Sequence, residues 1–548
     1  MRNVRGIRSE RLDHLGIVAG VCQEIGLAGY LDALAGPSQQ QVSVGTATVA
    51  MILNGLGFSN RRLYLVSQFF ATKPVEHLLG PGITADLLHD DCLGRTLDWL
   101  YAHDPTTLFA GIARHARQCF GVEARQVHVD TTSFSVSGEY APDPEDEKDE
   151  DEDAQVVAVT YGYSRDHRED LKQWMLALAT TRQGDIPLYL HALDGNARDK
   201  VSLVEAVEAL GEQLRGEGET PIFVADSGMY SAANLARLNR AQVRWISRVP
   251  ETSVEAKAAV READAAAWQQ AGDLSFAPVA AASLGERWVV GRSRQGEERA
   301  RATLARKAKQ TRAEWEKTLW HLSARRFACE PDAQAALAKQ LTRLPEWLRV
   351  EAQVIAHPTH SRRGRPRKGT IPDGAAWQVE VDVALDTAAL ERVAMRQACF
   401  LVATNVVDSP VLSDQDLIQT YKEQTSVERG FAFLKDPLFL ASSVFVKRPE
   451  RIVALSLVMV LCLLVYRLAE HRLREQLAAT GQTVPNQVSK PTDRPTLRWV
   501  FQVFEGVSLL TFPQTGGPPQ QDTVGLEPLH EQVLALLGPS YEKLYKLE

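Results

Sequence analysis

The feature that most constrains the fold of this chain is a short, fully apolar run that ends in an acid. Residues Ile222–Ala225 are followed at once by Asp226, and helical patterns lie on both sides, at 201–214 and from Ser231 onward. A strand that is apolar on both faces is typical of a sheet covered by helices. Because ligands bind just beyond the carboxyl ends of such strands, Asp226 is a candidate site residue. The run predicts an α/β fold with a site at the edge of its sheet.

A second strand-like segment also carries an acid. Between Gln126 and Ser135 the chain alternates with a period of two, so that Val127 and Val129 point one way while Asp130 points the other. This pattern predicts a half-buried strand with Asp130 on its polar face. Further strands are predicted at Val156–Tyr163, Trp174–Ala179 and Val243–Val249. Together the five segments predict a five-stranded mixed sheet whose first three strands form an antiparallel meander.

The formal net charge of -8 at pH 7 conceals an uneven distribution. Nine acids and one lysine lie between Asp143 and Asp153, which gives -8 for that segment, so the rest of the chain sums to zero. Between Arg292 and Arg326 eleven Lys and Arg stand against four Glu, a local charge of +7. Because DNA binding needs local rather than overall positive charge, the composition does not exclude it. We interpret the acidic segment as a long solvated loop, with an electrostatic guard over the site as the alternative.

Length and cysteine content indicate a multidomain protein of a reducing compartment. At 548 residues the chain exceeds the usual domain size several times, so roughly two to four domains are expected. The six cysteines are scattered, without the spacing of a zinc or redox site, which predicts reduced thiols. The start has no signal-like apolar run, and the apolar stretch Ile452–Tyr466 is shorter than the roughly 20 residues of a membrane span. We expect a cytoplasmic protein with no membrane segment, in which Ile452–Tyr466 is a buried helix.

The most informative stretch is a polar stripe on a predicted helix from Asp414 to Lys435. Ser413 and Asp416 have the spacing of a helix start, and Pro437 follows as a stop. At about 100° per residue, four side chains fall within an arc of about 60°: Tyr421, Gln424, Glu428 and Lys435. A carboxylate between a phenol and an ammonium suits a metal ion beside a phosphate backbone. Glu428 is therefore the third candidate acid.

This stripe resembles the signature helix of the insertion-sequence-four superfamily of DDE transposases, in its 1634-type branch. The signature is Tyr, two residues, Arg, three residues, Glu, six residues, Lys. Tyr421, Glu428 and Lys435 match it, while Gln424 stands where the family usually has Arg. The resemblance extends to four further segments, at residues 127–132, 162–168, 193–196 and 224–230. It therefore includes both strand-borne acids.

The resemblance implies an RNase H-like catalytic core, an insertion before the Glu helix and a helical, DNA-binding N-terminal region. The spacing of Leu12, Leu15, Ala19 and Cys22 also predicts helix near the N-terminus. We divide the chain into an all-α N-terminal region (1–120), the first part of the core (121–250), an inserted mixed domain (251–405), the second part of the core with the Glu helix (406–470) and a C-terminal region (471–548).

By the same resemblance, Asp130, Asp226 and Glu428 are the metal ligands of DDE chemistry. They would hold two Mg²⁺ ions, for which Mn²⁺ can substitute, with Asp130 shared between both. The implied protein is a DNA transposase that binds terminal inverted repeats, cuts at the element ends and joins the 3′ ends to target DNA, as a homodimer on paired ends. Two alternatives stay open: an inactive transposase-derived DNA-binding protein, and an RNase H-like nuclease that cuts without strand transfer.

Two groups of residues are candidates for DNA contacts. Tyr421, Gln424 and Lys435 are predicted to contact DNA, with a solvated helix face as the alternative. The basic loop at 362–368 resembles an AT-hook core, in which an extended Arg-Pro segment enters the minor groove. Its candidate contacts are Arg363, Arg365 and Arg367, and a solvated basic turn is the alternative.

Three further residues carry two interpretations each. Trp288 is a candidate for stacking on an unpaired base near a cleavage site, and a core position on a strand is its alternative. His128 is expected to pack or hydrogen-bond within its strand rather than to bind a metal, because Mg²⁺ prefers oxygen. Gly430 inside a helix indicates close packing or, alternatively, a close approach of DNA beside Glu428.

Overall fold

The computed structural model describes residues 7–37, 40–58, 65–137, 140, 156–163, 168–197, 199–281, 283, 285–360, 371–423, 425–436, 439, 448–514 and 519–546. The chain divides into two compact units. The first comprises Met1–Ser247 and Thr420–Glu548, and the second comprises Arg248–Gln419. The acidic segment 143–153 and the arginine loop 362–368 lie outside the described residues.

The fold is mixed α/β. The strands are β1 (Arg8–Arg11), β2 (Gln126–Val136), β3 (Lys172–Thr181), β4 (Pro187–Leu193), β5 (Ile222–Ala225), β6 (Arg244–Arg248), β7 (Gln269–Ala271), β8 (Leu274–Val279), β9 (Arg287–Ser293), β10 (Leu348–Thr359), β11 (Gly374–Leu385), β12 (Phe400–Thr404), β13 (Val484–Pro485), β14 (Pro491–Thr492), β15 (Ser508–Phe512) and β16 (Gln520–Val524).

The α-helices are α1 (Leu15–Glu24), α2 (Leu27–Ala35), α3 (Val44–Leu56), α4 (Val66–Phe70), α5 (Val75–Leu79), α6 (Asp90–Ala102), α7 (Pro105–Phe120), α8 (Asp199–Gly216), α9 (Ala232–Arg240), α10 (Val254–Glu262), α11 (Arg294–Ser323), α12 (Glu330–Leu341), α13 (Thr387–Ala398), α14 (Asp414–Lys422), α15 (Thr425–Leu434), α16 (Pro449–Thr480), α17 (Leu497–Val503), α18 (Pro528–Leu537) and α19 (Pro539–Tyr545). Short 3-10 turns lie at Ala85–Leu87 and Ala263–Ala265.

The first unit contains five neighbouring strands in the order β4-β3-β2-β5-β6. The pairs β4·β3 and β3·β2 are antiparallel, whereas β2·β5 and β5·β6 are parallel. The predicted mixed sheet is thus confirmed for four of its five predicted strands, β2, β3, β5 and β6, and the strand order is consistent with an RNase H-like core. The prediction that β2 is half-buried is wrong, because nearly every residue of β2 is buried and Asp130 is one of the few that keeps partial exposure.

One predicted strand is wrong and another was missed. Residues 156–163 form only an isolated bridge, between Thr160 and Gln173, whereas the edge strand is β4. A tight hairpin turn joins β3 to β4, in which Gly184 and Asp185 have φ values of 79° and 56°. Gly satisfies such a backbone without strain, and Asp tolerates it better than most residues. Since that turn returns the chain directly beside β3, β4 occupies the edge.

A long buried helix organises the helical part of the first unit. Helix α16 contacts α1, α3, α6, α7 and α18, and its residues from Ile452 to Glu470 are buried. It is the one unbroken described helix that is long and apolar enough to cross a membrane, and its apolar window lies wholly inside the structure. The helix therefore serves as the core of this unit, which confirms the prediction of a buried helix.

The N-terminal segment contains a strand as well as helices. Strand β1 pairs antiparallel with β15, which in turn pairs with β16. The prediction that residues 1–120 are all-α is therefore wrong at its start. The partner strand lies about 500 residues away along the sequence, at Ser508–Phe512, so helical periodicity near the N-terminus could not reveal it.

The second unit contains an antiparallel group of strands, a long hairpin and a long helix. The strands β12, β9, β8 and β7 are neighbours in that order, and β10 pairs with β11 over twelve residues. Helix α11, of 30 residues, packs against α13 and β11. Strand β12 is wholly buried.

Candidate active site

The two strand-borne acids lie at the same level of the sheet. Strands β2 and β5 run parallel, and His128 is the partner of Val224. Two residues further along each strand stand Asp130 and, just past the end of β5, Asp226. Side chains two residues apart share a face, and neighbouring strands are roughly 4.8 Å apart. The register therefore brings Asp130 and Asp226 side by side at one edge.

Backbone amides orient both carboxylates. The Thr131 N–H donates to Oδ1 of Asp130 over 2.8 Å, and the Gly228 N–H donates to Oδ1 of Asp226 over 2.7 Å. The Ser247 hydroxyl donates to the backbone oxygen of Asp226 over 2.8 Å. A Cβ atom on Gly228 would lie only 2.8 Å from that Oδ1, so a larger residue here would displace the Asp226 carboxylate. Both acids are half-buried, which leaves them accessible to a hydrated ion.

The third acid lies on a helix packed over the same strands. Helix α15 contacts β2 and β3, and Glu428 on it is exposed. A Cβ on Gly430 would lie 3.2 Å from Cδ2 of Leu178 and 3.4 Å from Cδ2 of Leu463. Leu178 is the cross-strand partner of Asp130, so their side chains share a face. The helix carrying Glu428 is thus seated on the Asp130 face, and the packing interpretation of Gly430 is confirmed.

A buried carboxylate in the β3–β4 turn holds this helix. Nε and Nη2 of Arg429 each lie 3.0 Å from a carboxylate oxygen of Asp185, a bidentate pair. Arg467 from α16 approaches the same carboxylate at 3.7 Å. Before the helix begins, Glu423 pairs with Arg182 of the same turn. The turn therefore forms an ion pair with the chain on each side of Glu428. We call the Arg429–Asp185 pair the latch.

Sequence reasoning missed the latch entirely. Asp185 carries no motif, and Arg429 was only a neighbour of the signature Glu. The available signal was local: Gly184 followed by Asp185 between two apolar runs is a hairpin turn signature. A buried acid in such a turn requires a cationic partner, because burying an unpaired charge is costly.

The predicted helix from Asp414 to Lys435 is broken. Helix α14 ends at Lys422 and α15 begins at Thr425, so Tyr421 is not on the helix of Glu428. The prediction of one continuous polar stripe is therefore wrong, and Gln424 lies outside the described residues. The pairing of Glu423 with Arg182 fixes the chain at this break.

Lys435 directly follows α15, on the face of the sheet that carries Asp130. Its Nζ is 5.7 Å from the ring centre of Phe134, within the range of a cation–π contact. Phe134 is four residues after Asp130 on β2, so both side chains share a face. Lys435 is half-buried. Phe134 stands roughly 13 Å along the strand from Asp130, at about 3.3 Å per residue, and the ammonium is held beside its ring.

His128 is a neutral core residue. Its side chain is fully buried, and burial lowers its pKa to about 4, with the charges of Arg182 and Arg429 acting in the same direction. Within the described residues, neither ring nitrogen has a hydrogen-bond partner. The expectation that His128 packs is confirmed, and hydrogen bonding within the strand is not found among these residues.

The remaining candidates are Trp288 and three arginines. Trp288 is 2% exposed on β9, and its Nε1 donates to Glu286 over 2.9 Å. The predicted stacking of Trp288 on DNA is therefore wrong, and the alternative core position is confirmed. Arg363, Arg365 and Arg367 lie outside the described residues.

A separate acidic group is explained by helix capping. In the described part of the chain, His89, Asp90 and Asp91 have ligand atoms within 4.8 Å of one another, and the three candidate acids do not form such a group together. Nδ1 of His89 accepts the Cys92 N–H at 3.3 Å, and both acids stand in the first turn of α6. Acids there are stabilised by the helix dipole, so this exposed group has a structural role.

Comparison with known families matches two segments. The transposase DDE domain family matches residues 124–465, and a family described as a domain of unknown function, DUF4277, matches residues 7–114. Among solved structures, the cryo-EM structure of a piggyBac transposase synaptic complex with hairpin DNA aligns with a TM-score of 0.33 and 8% identity, over 89% of this chain and 77% of that chain. Comparison with curated protein sequences gives no match.

Proposed function

The chain belongs to the transposase DDE domain family, and from that premise we propose that it is the transposase of an insertion sequence. The family implies a metal-dependent, DNA-cleaving enzyme that acts in transposition. In the proposal this chain binds terminal inverted repeats, cleaves at the element ends and joins the 3′ ends to target DNA. The finer assignment to the 1634-type branch of the insertion-sequence-four superfamily is supported by the spacing of Tyr421, Glu428 and Lys435.

The observation that carries the proposal is the alignment of acids from three distant segments. The β2–β5 register sets Asp130 beside Asp226, and the packing of Gly430 on Leu178 seats the helix of Glu428 over the same strands. The acids come from distant positions, 130, 226 and 428, yet β5 and α15 both contact the strand that carries Asp130. This convergence supports Asp130, Asp226 and Glu428 as the catalytic residues.

The donor set fits hard divalent cations. Three carboxylates offer oxygen ligands, which Mg²⁺ prefers, and each oxygen has two lone pairs, so an acid that accepts one amide N–H can still bind a metal. Asp130, Asp226 and Glu428 would together hold the ions. When bound, two Mg²⁺ ions, or Mn²⁺ in their place, supply Lewis acidity at the attacking and leaving oxygens of a phosphodiester.

The proposed reaction is an in-line displacement performed twice. Water first attacks a phosphodiester at the element end, which releases a 3′ hydroxyl and leaves a 5′ phosphate. That hydroxyl then attacks a target phosphodiester, forming a new bond as a target 3′ oxygen leaves. No covalent enzyme intermediate is needed, so the protein positions DNA and ligands. We assign DNA contacts to Tyr421, Gln424, Lys435 and the arginine loop of Arg363, Arg365 and Arg367, and a homodimer to the paired ends.

The test is cleavage and joining of labelled DNA that carries the element ends. Wild type is compared with Glu428→Gln, which removes the charge but keeps the shape, in Mg²⁺, Mn²⁺ and EDTA. The matched control is Glu475→Gln, an exposed glutamate on α16. We expect metal-dependent nicking and joining by wild type and the control, and neither by Glu428→Gln, with DNA binding retained by all three.

Each other outcome selects a different function. Nicking without joined products by wild type would identify a nuclease without strand transfer. Binding without nicking by wild type would identify an inactive DNA-binding descendant of a transposase. Activity retained by Glu428→Gln would remove Glu428 from the site.

A further inference from the structure

Helix α11 in the second unit has one buried face and one exposed face. Leu304 packs against Val393 and Ala394 of α13, and Ala308 is also buried. Further along, Leu319 and Leu322 enter the apolar cluster beneath the β10–β11 hairpin. At 100° per residue these four buried positions fall within an arc of about 60°. The opposite face of the helix is consequently turned to solvent.

Several basic residues of α11 are neutralised within the unit. Arg301 lies 2.9 Å from Glu391, and Arg312 lies 2.7 Å from Glu316. Arg294 lies 3.6 Å from Glu298. These cations offer little net charge to a partner, because an acid already stands beside each.

Three other cations of α11 form an unpaired stripe. Arg299, Arg306 and Lys317 are exposed and, within the described residues, form no ion pair. Seven and eighteen residues correspond to rotations of about 700° and 1800°, so the three side chains lie within about 20° of one another around the helix. They stand opposite the buried face. We call Arg299, Arg306 and Lys317 the basic stripe.

On the face of α11 that carries the basic stripe, the described residues include no acid. Within about 40° on either side the helix presents only neutral residues besides the three cations, namely Gln295, Thr303, Gln310, Ala313 and His321. The four glutamates of α11 all lie about 60° or more from the centre of the stripe. A surface solvated at random would interleave both signs, whereas a surface for a polyanion must exclude acids.

We propose that the basic stripe binds the sugar-phosphate backbone of duplex DNA. This inference rests on the proposed function, which supplies DNA as the polyanion. The stripe is about 27 Å long at 1.5 Å per residue, which spans about eight base pairs at 3.4 Å each. Arginine and lysine at such spacing neutralise phosphates and fix the position of the duplex without reading its sequence. The second unit thereby contributes affinity that is separate from the metal site.

The test is the salt dependence of DNA binding by the full chain. Arg299, Arg306 and Lys317 are changed together to Gln, and the control changes the paired residues Arg294, Arg301 and Arg312 to Gln, an equal loss of charge on the same helix. Fluorescence anisotropy measures binding to a labelled duplex with the element end and to an unrelated duplex, in EDTA, from 50 to 300 mM salt. Each phosphate contact adds about 0.9 to the slope of log K against log salt.

We expect the stripe variant to lose about 2.7 from that slope and to bind both duplexes about tenfold or more weakly at 0.1 M salt. The control should lose less than about 1. A charge-preserving variant, with Arg299→Lys, Arg306→Lys and Lys317→Arg, should keep the wild-type slope. If the triple Gln variant does not fold, Lys317→Gln alone should lose about 0.9.

Three results would overturn the inference. An unchanged slope would show that the stripe is a solvated face. A loss confined to the element-end duplex would show base reading instead of backbone binding. An equal loss in the control would show that overall charge alone matters. In each case wild-type cleavage and joining would leave the proposed function intact, whereas failure of wild type to bind any duplex would contradict the proposed function itself.

Discussion

Breaking the latch between Arg429 and Asp185 should slow DNA cleavage without unfolding the protein. The Arg429 guanidinium is bidentate on a carboxylate that is 11% exposed, but the arginine side chain itself is 54% exposed. Two unit charges about 4 Å apart attract by about 4 kcal/mol at an effective dielectric of 20, and solvent reduces exposed pairs towards about 1 kcal/mol or less. We therefore expect the latch to contribute a stabilising free energy of about 1–2 kcal/mol.

Breaking the latch should shift the position of Glu428 rather than lower the free energy of unfolding of the whole protein by that amount. If Arg429→Met lets the start of α15 shift, the barrier to cleavage should rise by about 1–2 kcal/mol, a rate about 5- to 30-fold lower. The Mg²⁺ concentration for half-maximal cleavage should rise as well, because a displaced Glu428 binds metal less well. Arg429→Lys should recover part of the rate, since it restores the charge but not the bidentate geometry.

Asp185→Asn provides the second arm of the experiment. Asn tolerates the positive φ of 56° at this position, so the change removes mainly charge. It leaves both Arg429 and the buried Arg467 without this acid, so we expect slower cleavage together with a lower urea midpoint. In a double-mutant cycle the two changes should be less than additive in cleavage rate.

The control is Lys546→Met, which breaks an exposed pair with Glu542 and should change neither quantity. Cleavage by Arg429→Met at the wild-type rate, with an unchanged Mg²⁺ dependence, would refute the reasoning. A loss of rate matched by an equal loss of stability would make Arg429 a general packing residue.

Three further predictions concern stability. Ser456→Ala removes the acceptor 3.1 Å from the buried Trp174 Nε1 and should lower the free energy of unfolding by about 1–3 kcal/mol, so an unchanged urea midpoint would contradict this hydrogen bond. Burial lowers the pKa of His14 from 6.5 to about 4, so between these pH values the unfolded chain binds more protons than the folded chain. The free energy of unfolding should therefore fall on acidification from pH 6.5 to 4. His14→Gln should reduce that fall by about 3 kcal/mol. Gly430→Ala should stay within about 1 kcal/mol of wild type in stability, because the gain in helix propensity offsets the contacts of 3.2 and 3.4 Å that its Cβ would make. Gly430→Leu should destabilise the protein by about 1–3 kcal/mol and abolish cleavage. Equal behaviour of the two variants would exclude tight packing at this position.

The sequence predicts the strands that carry acids because their signals are local. The apolar run before Asp226 and the alternation around Asp130 depend only on neighbouring residues, and both segments are strands. The segment at 156–163 shows where this fails. It has strand-like composition, yet a Cβ on Gly162 would come within 2.0 Å of the Gly195 oxygen, so a close backbone crossing replaces a ladder there. Such a crossing depends on a residue over thirty positions away.

The break between α14 and α15 and the burial of Trp288 have the same physical origin. Residues 414–435 have a continuous helical pattern, but Glu423 is paired with Arg182, more than 200 residues earlier. Trp288 lies between the partner strands β8 and β12, which the local pattern does not identify. At both places the local pattern is compatible with two structures, and pairing with residues distant in the sequence determines which of them forms.

The three acids differ in how firmly the fold holds them. Asp130 lies within a central strand, and Asp226 is fixed by the Gly228 amide and the Ser247 hydroxyl, so both positions belong to the sheet itself. Glu428 instead lies on a ten-residue helix after a break, held by the packing of Gly430 and by the latch. In the proposed site, Asp130 and Asp226 would therefore be held by the sheet, whereas the position of Glu428 would depend on the contacts of α15. We therefore expect substitutions in the sheet to act on the site through folding, and substitutions around the latch to act on it through the position of Glu428.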